Sequence, residues 1–281
     1  MKIIWNHGPL PCHLLITWFR TSAVRVGYAL FLALMLAPES RAEQITATRP
    51  PLKVLLIASG GYHDYQSLAP FLQTNLSQRV NARIEVRFGL EVLTNANFAA
   101  DYDAVIYDVC EDKTEDSTLN HVLNTIRAGK PAVMIHCSIH AFRYSPKISE
   151  WETLCGMRSK VHDAYGPFTV TKCDPKSALT MAFPEQWATT GDELYQTIAI
   201  DPQSHQLLRA KSPQDQREHV VCWTSQFGNG RVFCTTLGHD MKTTATPEYL
   251  QLVTNGLLWS CNLLAADGKP VSGYGVVPKK P

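Results

Sequence analysis

The sequence predicts an α/β protein: one domain built on an open, doubly wound sheet with helices on both sides. Three observations lead there. The segments Lys53-Val-Leu-Leu-Ile-Ala-Ser59 and Pro131-Ala-Val-Met-Ile-His136 are almost wholly apolar, as strands buried on both faces of a parallel sheet are. Helix-like and strand-like stretches then alternate through the first half as strand, helix, strand, strand, helix, strand. No internal repeat and no change of composition divides the chain between about residue 50 and residue 264.

The elements follow in order. Residues 27–37 form an uncharged apolar run, preceded by Arg20 and Arg25 and followed by Ser40-Arg41-Ala42, with small residues where a signal peptidase reads them. That pattern predicts a signal peptide over 1–42, because the run is shorter than the ~20 residues a membrane span needs. Removing its four bases and one acid takes the formal charge from +1 to −2. Residues 43–51 read as a polar linker. The first strand, 53–59, ends at Gly60-Gly61. Leu68, Phe71, Leu72, Leu76 and Val80 mark a helix over 68–80. Strands follow at 82–88 and 104–109, then a helix over 119–128 closed by Gly129. The fourth strand is 131–136. A helix at 148–154 and strands at 168–172 and 206–210 come next. Gly228-Asn229-Gly230 joins strands 219–225 and 231–237 as a hairpin. A helix over 247–263, with Pro247 in its first turn, closes the domain at 52–264, and the tail 265–281 reads as loose and flexible.

Composition sets the outer bounds. With 45% hydrophobic and 18% charged residues, the chain is neither fibrous, nor low-complexity, nor a multi-span membrane protein. Lys+Arg (26) and Asp+Glu (25) nearly balance, which argues against a nucleic-acid partner. Of eight cysteines, Cys12 leaves with the signal peptide. Cys110, Cys137, Cys155, Cys173, Cys222, Cys234 and Cys261 remain, with no C-x-x-C spacing to suggest a cysteine zinc site. Most read as small buried fillers, with room for one bridge in an exported protein.

Open α/β sheets bind ligands beyond the carboxyl ends of their strands. There the sequence places Gly60-Gly61-Tyr62-His63-Asp64, His136-Cys137-Ser138 with His140 nearby, and Gly238-His239-Asp240. Three histidines thus end three strands on one edge. The middle of the chain adds His162-Asp163 and Asp192-Glu193-Leu194-Tyr195, where the acidic pair reads equally as a solvated turn. Imidazole and carboxylate together suit acid–base work or a divalent metal, zinc or similar, held by His63, His136, His162, Glu193 and His239. No H-E-x-x-H, G-x-G-x-x-G or P-loop is present, so no motif demands a cofactor. Cys137 and Ser138 stand where α/β enzymes place a nucleophile, but G-x-S-x-G is missing and Cys137 reads better as filler. Trp151, Trp187, Trp223 and Tyr195 are the candidate sugar-stacking rings, Trp223 reading more simply as core.

The stretches VLLIASGGYHD (54–64), PAVMIHCSIHAFR (131–143), WETLCGMRSKVHD (151–163), DELY (192–195) and VVCWTSQFGNGRVFCTTLGHD (220–240) occur in this order, followed by NGLLW at 255–259. Together they resemble the ThuA-like (trehalose-utilisation) family over essentially all of 53–263. The resemblance implies a single flavodoxin-like domain, similar to class I glutamine amidotransferases, with a mostly parallel open sheet sandwiched by helices. It also implies a role in carbohydrate breakdown, especially of 3-keto disaccharides and glycosides. Where true amidotransferases carry a nucleophilic cysteine, this chain has His136, with Cys137 one residue later, which puts glutamine hydrolysis in doubt. His63, His136, His162, Glu193, His239 and Asp240 fall on the family's characteristic positions. The expected assignment is therefore His63, His136, His239, Glu193 and Asp240 for catalysis, Asp240 orienting His239. Gly61, Tyr62, Asp64, Ser138, His162 and Tyr195 are expected to contact substrate. The expected function is that of a secreted or periplasmic hydrolase, lyase or isomerase acting on a small sugar or glycoside. A non-catalytic carbohydrate-binding protein and a Cys137-dependent hydrolase or amidase are the alternatives. No membrane span is expected after cleavage, and self-association is left open.

Overall fold

The computed structural model describes residues 49–275. The expected signal peptide and most of the linker lie outside the described residues. Strand β1 (Leu52–Gly60) uses its apolar run in the way period-2 geometry requires: Val54, Leu56 and Ala58 enter one core, Leu55 and Ile57 the other. Fully burying each such side chain contributes about 1.5–3 kcal/mol. Helix α1 (Tyr65–Ser77), strand β2 (Ala82–Phe88), strand β3 (Ala104–Cys110), helix α2 (Asp116–Arg127) and strand β4 (Ala132–Ile135) follow. Beyond them lie α3 (Ile148–Cys155), β5 (Met157–His162), β6 (Thr169–Lys172), β7 (Gln186–Ala188) and β8 (Tyr195–Ile200). The chain finishes with β9 (His205–Lys211), β10 (Glu218–Phe227), β11 (Gly230–Thr235), α4 (Met241–Thr244) and α5 (Pro247–Ser260).

Nine strands form one sheet in the order β2-β1-β3-β4-β11-β10-β9-β6-β7. Its first five strands are parallel neighbours; from β11 onward every pairing is antiparallel. The expectation of a mostly parallel sheet is therefore corrected to a mixed one. The cause is the β10–β11 hairpin at Gly228-Asn229, which reverses direction beside β4 and lets β9, β6 and β7 add edge to edge. Strands β5 and β8 make a separate antiparallel ribbon that lies against β10. One core holds Leu72, Phe233 and Leu252 from α1, β11 and α5; the other holds Val122, Trp151 and Trp223 from α2, α3 and β10. Trp223 is core, as expected, and its indole N–H donates to the Cys155 carbonyl at 2.7 Å.

The stretch after α5 corrects the expected loose tail, 265–281, in its first part; residues 276–281 lie outside the described residues. Val271 N–H donates to Leu263 O at 2.8 Å, Asn81 Nδ2 donates to Gly273 O at 3.1 Å, and Tyr274 packs on the core. Residues 265–275 thus dock against the domain rather than hang loose. Among the described residues, no helix is long and apolar enough to cross a membrane.

Candidate active site

The carboxyl ends of β1, β4 and β11 converge as the strand order requires. β1 ends at Gly60 with φ +129, where a side chain would collide with the Cys110 carbonyl. The required glycine is thus Gly60; Gly61 faces open space. From there the chain delivers His63. β4 ends at an elbow on which His136 itself takes a positive φ of 46 and begins a single turn, His136–Ile139. A non-glycine residue is strained there, and such strain marks sites that the surrounding structure holds in place. After β11, Gly238 at φ +114 turns the chain into His239. The three imidazoles meet edge to face, with ring centroids 4.9 Å apart for His63–His136, 4.8 Å for His63–His239 and 5.4 Å for His136–His239.

Glu193, from the loop before β8, completes the group. Its Oε2 stands 3.3 Å from His239 Nδ1, 3.5 Å from His136 Nε2 and 3.6 Å from His162 Nε2. Charge-assisted N–H···O bonds close to about 2.7–2.9 Å, so this carboxylate faces three imidazoles without closing on any of them. The brace is Asp192. Its carboxylate is fully buried and accepts from the backbone N–H of Gly238 (2.9 Å), His239 (3.2 Å) and Glu193 (2.8 Å). A solvated turn is therefore the wrong reading of this pair. His136 Nδ1 donates to Thr236 O at 2.6 Å; a carbonyl only accepts, so Nδ1 carries the proton and Nε2 faces Glu193.

Tyr195 forms the next layer. Its ring is stacked on His140 (4.0 Å) and on His162 (5.6 Å), and its hydroxyl donates to Cys137 Sγ at 3.3 Å. Cys137 is not a free filler: it is disulfide-bonded to Cys110, so in this state its sulfur is no nucleophile. These groups floor and wall a crevice of about 380 Å³, rimmed by Tyr62, Arg143, Lys160 and the half-exposed His162.

Several expected residues do other work. Ser138 is fully buried; its hydroxyl accepts from Val109 N and donates to Tyr107 O, both at 2.8 Å, and it does not line the crevice. Asp64 caps α1 by accepting from Ser67 N. Asp240 caps α4 and accepts from Tyr165 Oη at 2.8 Å, so it does not orient His239; Asp192 and the Tyr165 ring, 5.1 Å away, do. Trp151, Trp223 and Tyr195 are buried and present no free face to a sugar, and Trp187 packs on the core. Sequence reasoning named Asp192, His140 and Cys110 but gave none of them a place among the site residues. Their only signals were adjacency to Glu193, a place just past the elbow, and the end of the third strand.

Burial and neighbouring charge set the protonation states. His63 is pulled down to about 3, by burial first and then by His136 and His239. His140 also falls to about 3, by burial first and then by Arg143 and His136. At His136 burial again lowers, but Glu193, Asp192 and the Thr236 carbonyl together outweigh it and the net shift is upward. Glu193 is held well below the carboxylate range: burial opposes this, and His136 and His239 overcome it. Asp108, buried at the end of β3, is pushed up to about 7 by burial, with His136 pulling back.

The donor set also fits a divalent cation. The ligand atoms of His63, His136 and His239 lie within 4.8 Å of one another. Nδ1 of His63 and of His239 are buried without a hydrogen-bond partner, and Glu193 supplies an ionised oxygen beside His239 and His136. Three imidazoles and a carboxylate suit zinc or a similar borderline ion.

Fold and site together define a class: an amidotransferase-like α/β domain whose elbow carries an imidazole–carboxylate centre. The chain belongs to the ThuA (trehalose utilisation) family, whose model matches residues 53–260. It is similar to a ThuA-like protein from Parabacteroides merdae, at 20% identity and a TM-score of 0.61, over 82% of this chain and 98% of that one. A ThuA-like protein from Bacteroides uniformis is 15% identical with a TM-score of 0.61, over 75% of this chain and 92% of that one. A GMP synthase component from Thermoplasma acidophilum shares the fold at 12% identity and a TM-score of 0.52, over 76% of this chain and 96% of that one. No curated protein sequence matches.

Proposed function

We propose that the chain is an enzyme of carbohydrate breakdown acting on a keto-disaccharide or glycoside, with Glu193 as the proton-transfer group and His63, His136 and His239 as ligands of a divalent metal. The observation that carries this reading is the unclosed contact of Glu193 with three imidazoles at 3.3–3.6 Å on the floor of a crevice. An ion held by these three imidazoles would supply Lewis-acid polarisation of a sugar carbonyl or hydroxyl oxygen. The protein's own residues do the rest. His63 stays neutral at physiological pH, the form in which an imidazole offers a lone pair. The Thr236 carbonyl fixes the His136 tautomer so that Nε2 points inward. Glu193, held ionised, takes the proton from a C–H that a neighbouring keto group has acidified. His162 at the mouth exchanges protons with Glu193 and with the departing oxygen. The burial of Trp151, Trp223 and Tyr195 supports catalysis over sugar binding alone.

The test is turnover of 3-keto-trehalose and related glycosides with and without chelator. Glu193→Gln is expected to lower kcat by about 10²–10⁴-fold, and chelation to suppress activity reversibly. An unchanged His136→Ala enzyme, or silence across a broad panel, overturns the reading. Export is part of the proposal and rests on residues 20–42; an intact mass for a chain beginning at Glu43 supports it, and retention of Met1 in the mature protein counts against it.

A further inference from the structure

The crevice holds a second donor set that the reading above leaves unused. Cys110 ends β3, Cys137 sits on the elbow, and both line the crevice with His63 between the two donor sets. The ligand atoms of His63, Cys110 and Cys137 all lie within 4.8 Å of one another, and His63 Nε2 is 3.2 Å from Cys137 Sγ. A disulfide sulfur is a weak acceptor and gains little from an imidazole at that distance. A thiolate and an imidazole on one tetrahedral zinc ion, by contrast, stand about 3.5 Å apart, given Zn–S near 2.3 Å and Zn–N near 2.0 Å. Of the other cysteines among the described residues, Cys155, Cys222 and Cys234 are buried in the core, and Cys173 and Cys261 lie outside the crevice lining. The pair that reaches this crevice is the pair that is bonded.

We infer that Cys110, Cys137 and His63 form a redox-gated site for a thiophilic divalent ion, closed while the disulfide stands and opened by a small dithiol. In the opening step the dithiol supplies two electrons and two protons. The Cys110–Cys137 bond breaks, both sulfurs become thiols, and the dithiol leaves as a cyclic disulfide. On binding the ion the two thiols release their protons to water. Two thiolates and one imidazole then coordinate, and a fourth position stays open to water or a small ligand. Because His63 also belongs to the imidazole–glutamate cluster, reduction sets which donors it serves. The inference stands on the cysteine geometry and does not need the catalytic reading to hold.

The test is anaerobic titration of the mature chain with Co²⁺, before and after reduction by dithiothreitol that is then removed. The expected result is sulfur-to-cobalt charge-transfer absorption in the reduced protein alone. It is lost in Cys110→Ser and Cys137→Ser, weakened about tenfold or more in affinity by His63→Ala, and retained in His136→Ala. A second measurement needs no variant: in the reduced wild type, Zn²⁺ spares Cys110 and Cys137 from alkylation by iodoacetamide, read by peptide mass. Absence of the band after reduction, its survival in the double serine variant, or alkylation indifferent to Zn²⁺ overturns the inference.

Discussion

At the scale of single residues, His140 shows how burial sets charge. It is buried, stacked on Tyr195, and its Nε2 finds no partner, so the neutral ring is favoured and its pKa falls to about 3. A histidine depressed in the folded state lets the unfolded chain bind a proton first. Stability is therefore lost as pH falls below the unfolded value near 6.5, down towards the folded value. His63 acts in the same direction. His136, shifted upward, acts oppositely: its contribution is present below about 6.5 and lost as pH rises through its folded value. The isolating experiment is urea unfolding of the chelated protein at pH 7 and pH 5, in the wild type and in His140→Gln. The variant is expected to lose less stability over that interval, by about 2 kcal/mol at most. Equal losses would place a charge on the folded ring. Position alone made His63, His136 and His239 legible in the sequence, because strands of an open sheet end where ligands bind. Asp192 was not legible as a brace, since its burial depends on the backbone amides of Gly238 and His239, 46 and 47 residues away. Ser138 and Asp240 misled because a polar side chain beside a site can be consumed by backbone: that of strand β3 for Ser138, and the first turn of its own helix α4 for Asp240.

At the scale of elements, periodicity was readable wherever an element is buried on a full face. Strand β2 and the start of α5 lie where the pattern puts them. The ribbon β5–β8 was not readable, because only Met157 and Ser159 of Met-Arg-Ser-Lys-Val-His are buried and its charged residues dominate the local pattern. The same packing that hides this ribbon decides the sign of a substitution elsewhere. Gly256 lies inside α5, where alanine would gain about 1 kcal/mol of helix propensity. Yet a Cβ at this position runs into the ring of Phe233 on β11. Both are core positions, and overpacking of that kind costs about 1–3 kcal/mol. Gly256→Ala is therefore expected to destabilise, by up to about 2 kcal/mol net, with an unchanged denaturant slope in equilibrium unfolding. A stabilised variant would mean that α5 can lift from the sheet at no cost.

At the scale of the whole molecule, the site joins parts of different character. His63, His136 and His239 come from the ends of parallel strands, whereas Glu193, His162 and Tyr195 come from the β5–β8 ribbon and the loop before β8. His63 and His136 were legible because they follow from the alternating strand–helix half of the chain, and His239 because it comes after the second strand of a hairpin that the glycines at 228 and 230 mark. The second group depends on how the hairpin and ribbon fold back, which no local pattern records. A cation held by the three imidazoles and attracted by the Glu193 carboxylate would couple the parallel core to the ribbon, and its binding free energy would appear as stability of the whole domain. With free Zn²⁺ at a hundred times its dissociation constant, linkage predicts about 2.7 kcal/mol of stabilisation. For a domain of this size that is a rise of about 2–4 °C in Tm per kcal/mol. Calorimetry of the oxidised protein, without reductant so that Cys110 and Cys137 stay bonded, should show the rise with Zn²⁺ and its reversal by chelator. The rise should vanish in His136→Ala and shrink in Glu193→Gln, because the first removes an arm from the core and the second an ionised oxygen from the ribbon side. A shift that survives both substitutions would place the ion elsewhere and leave the cluster as an acid–base group alone.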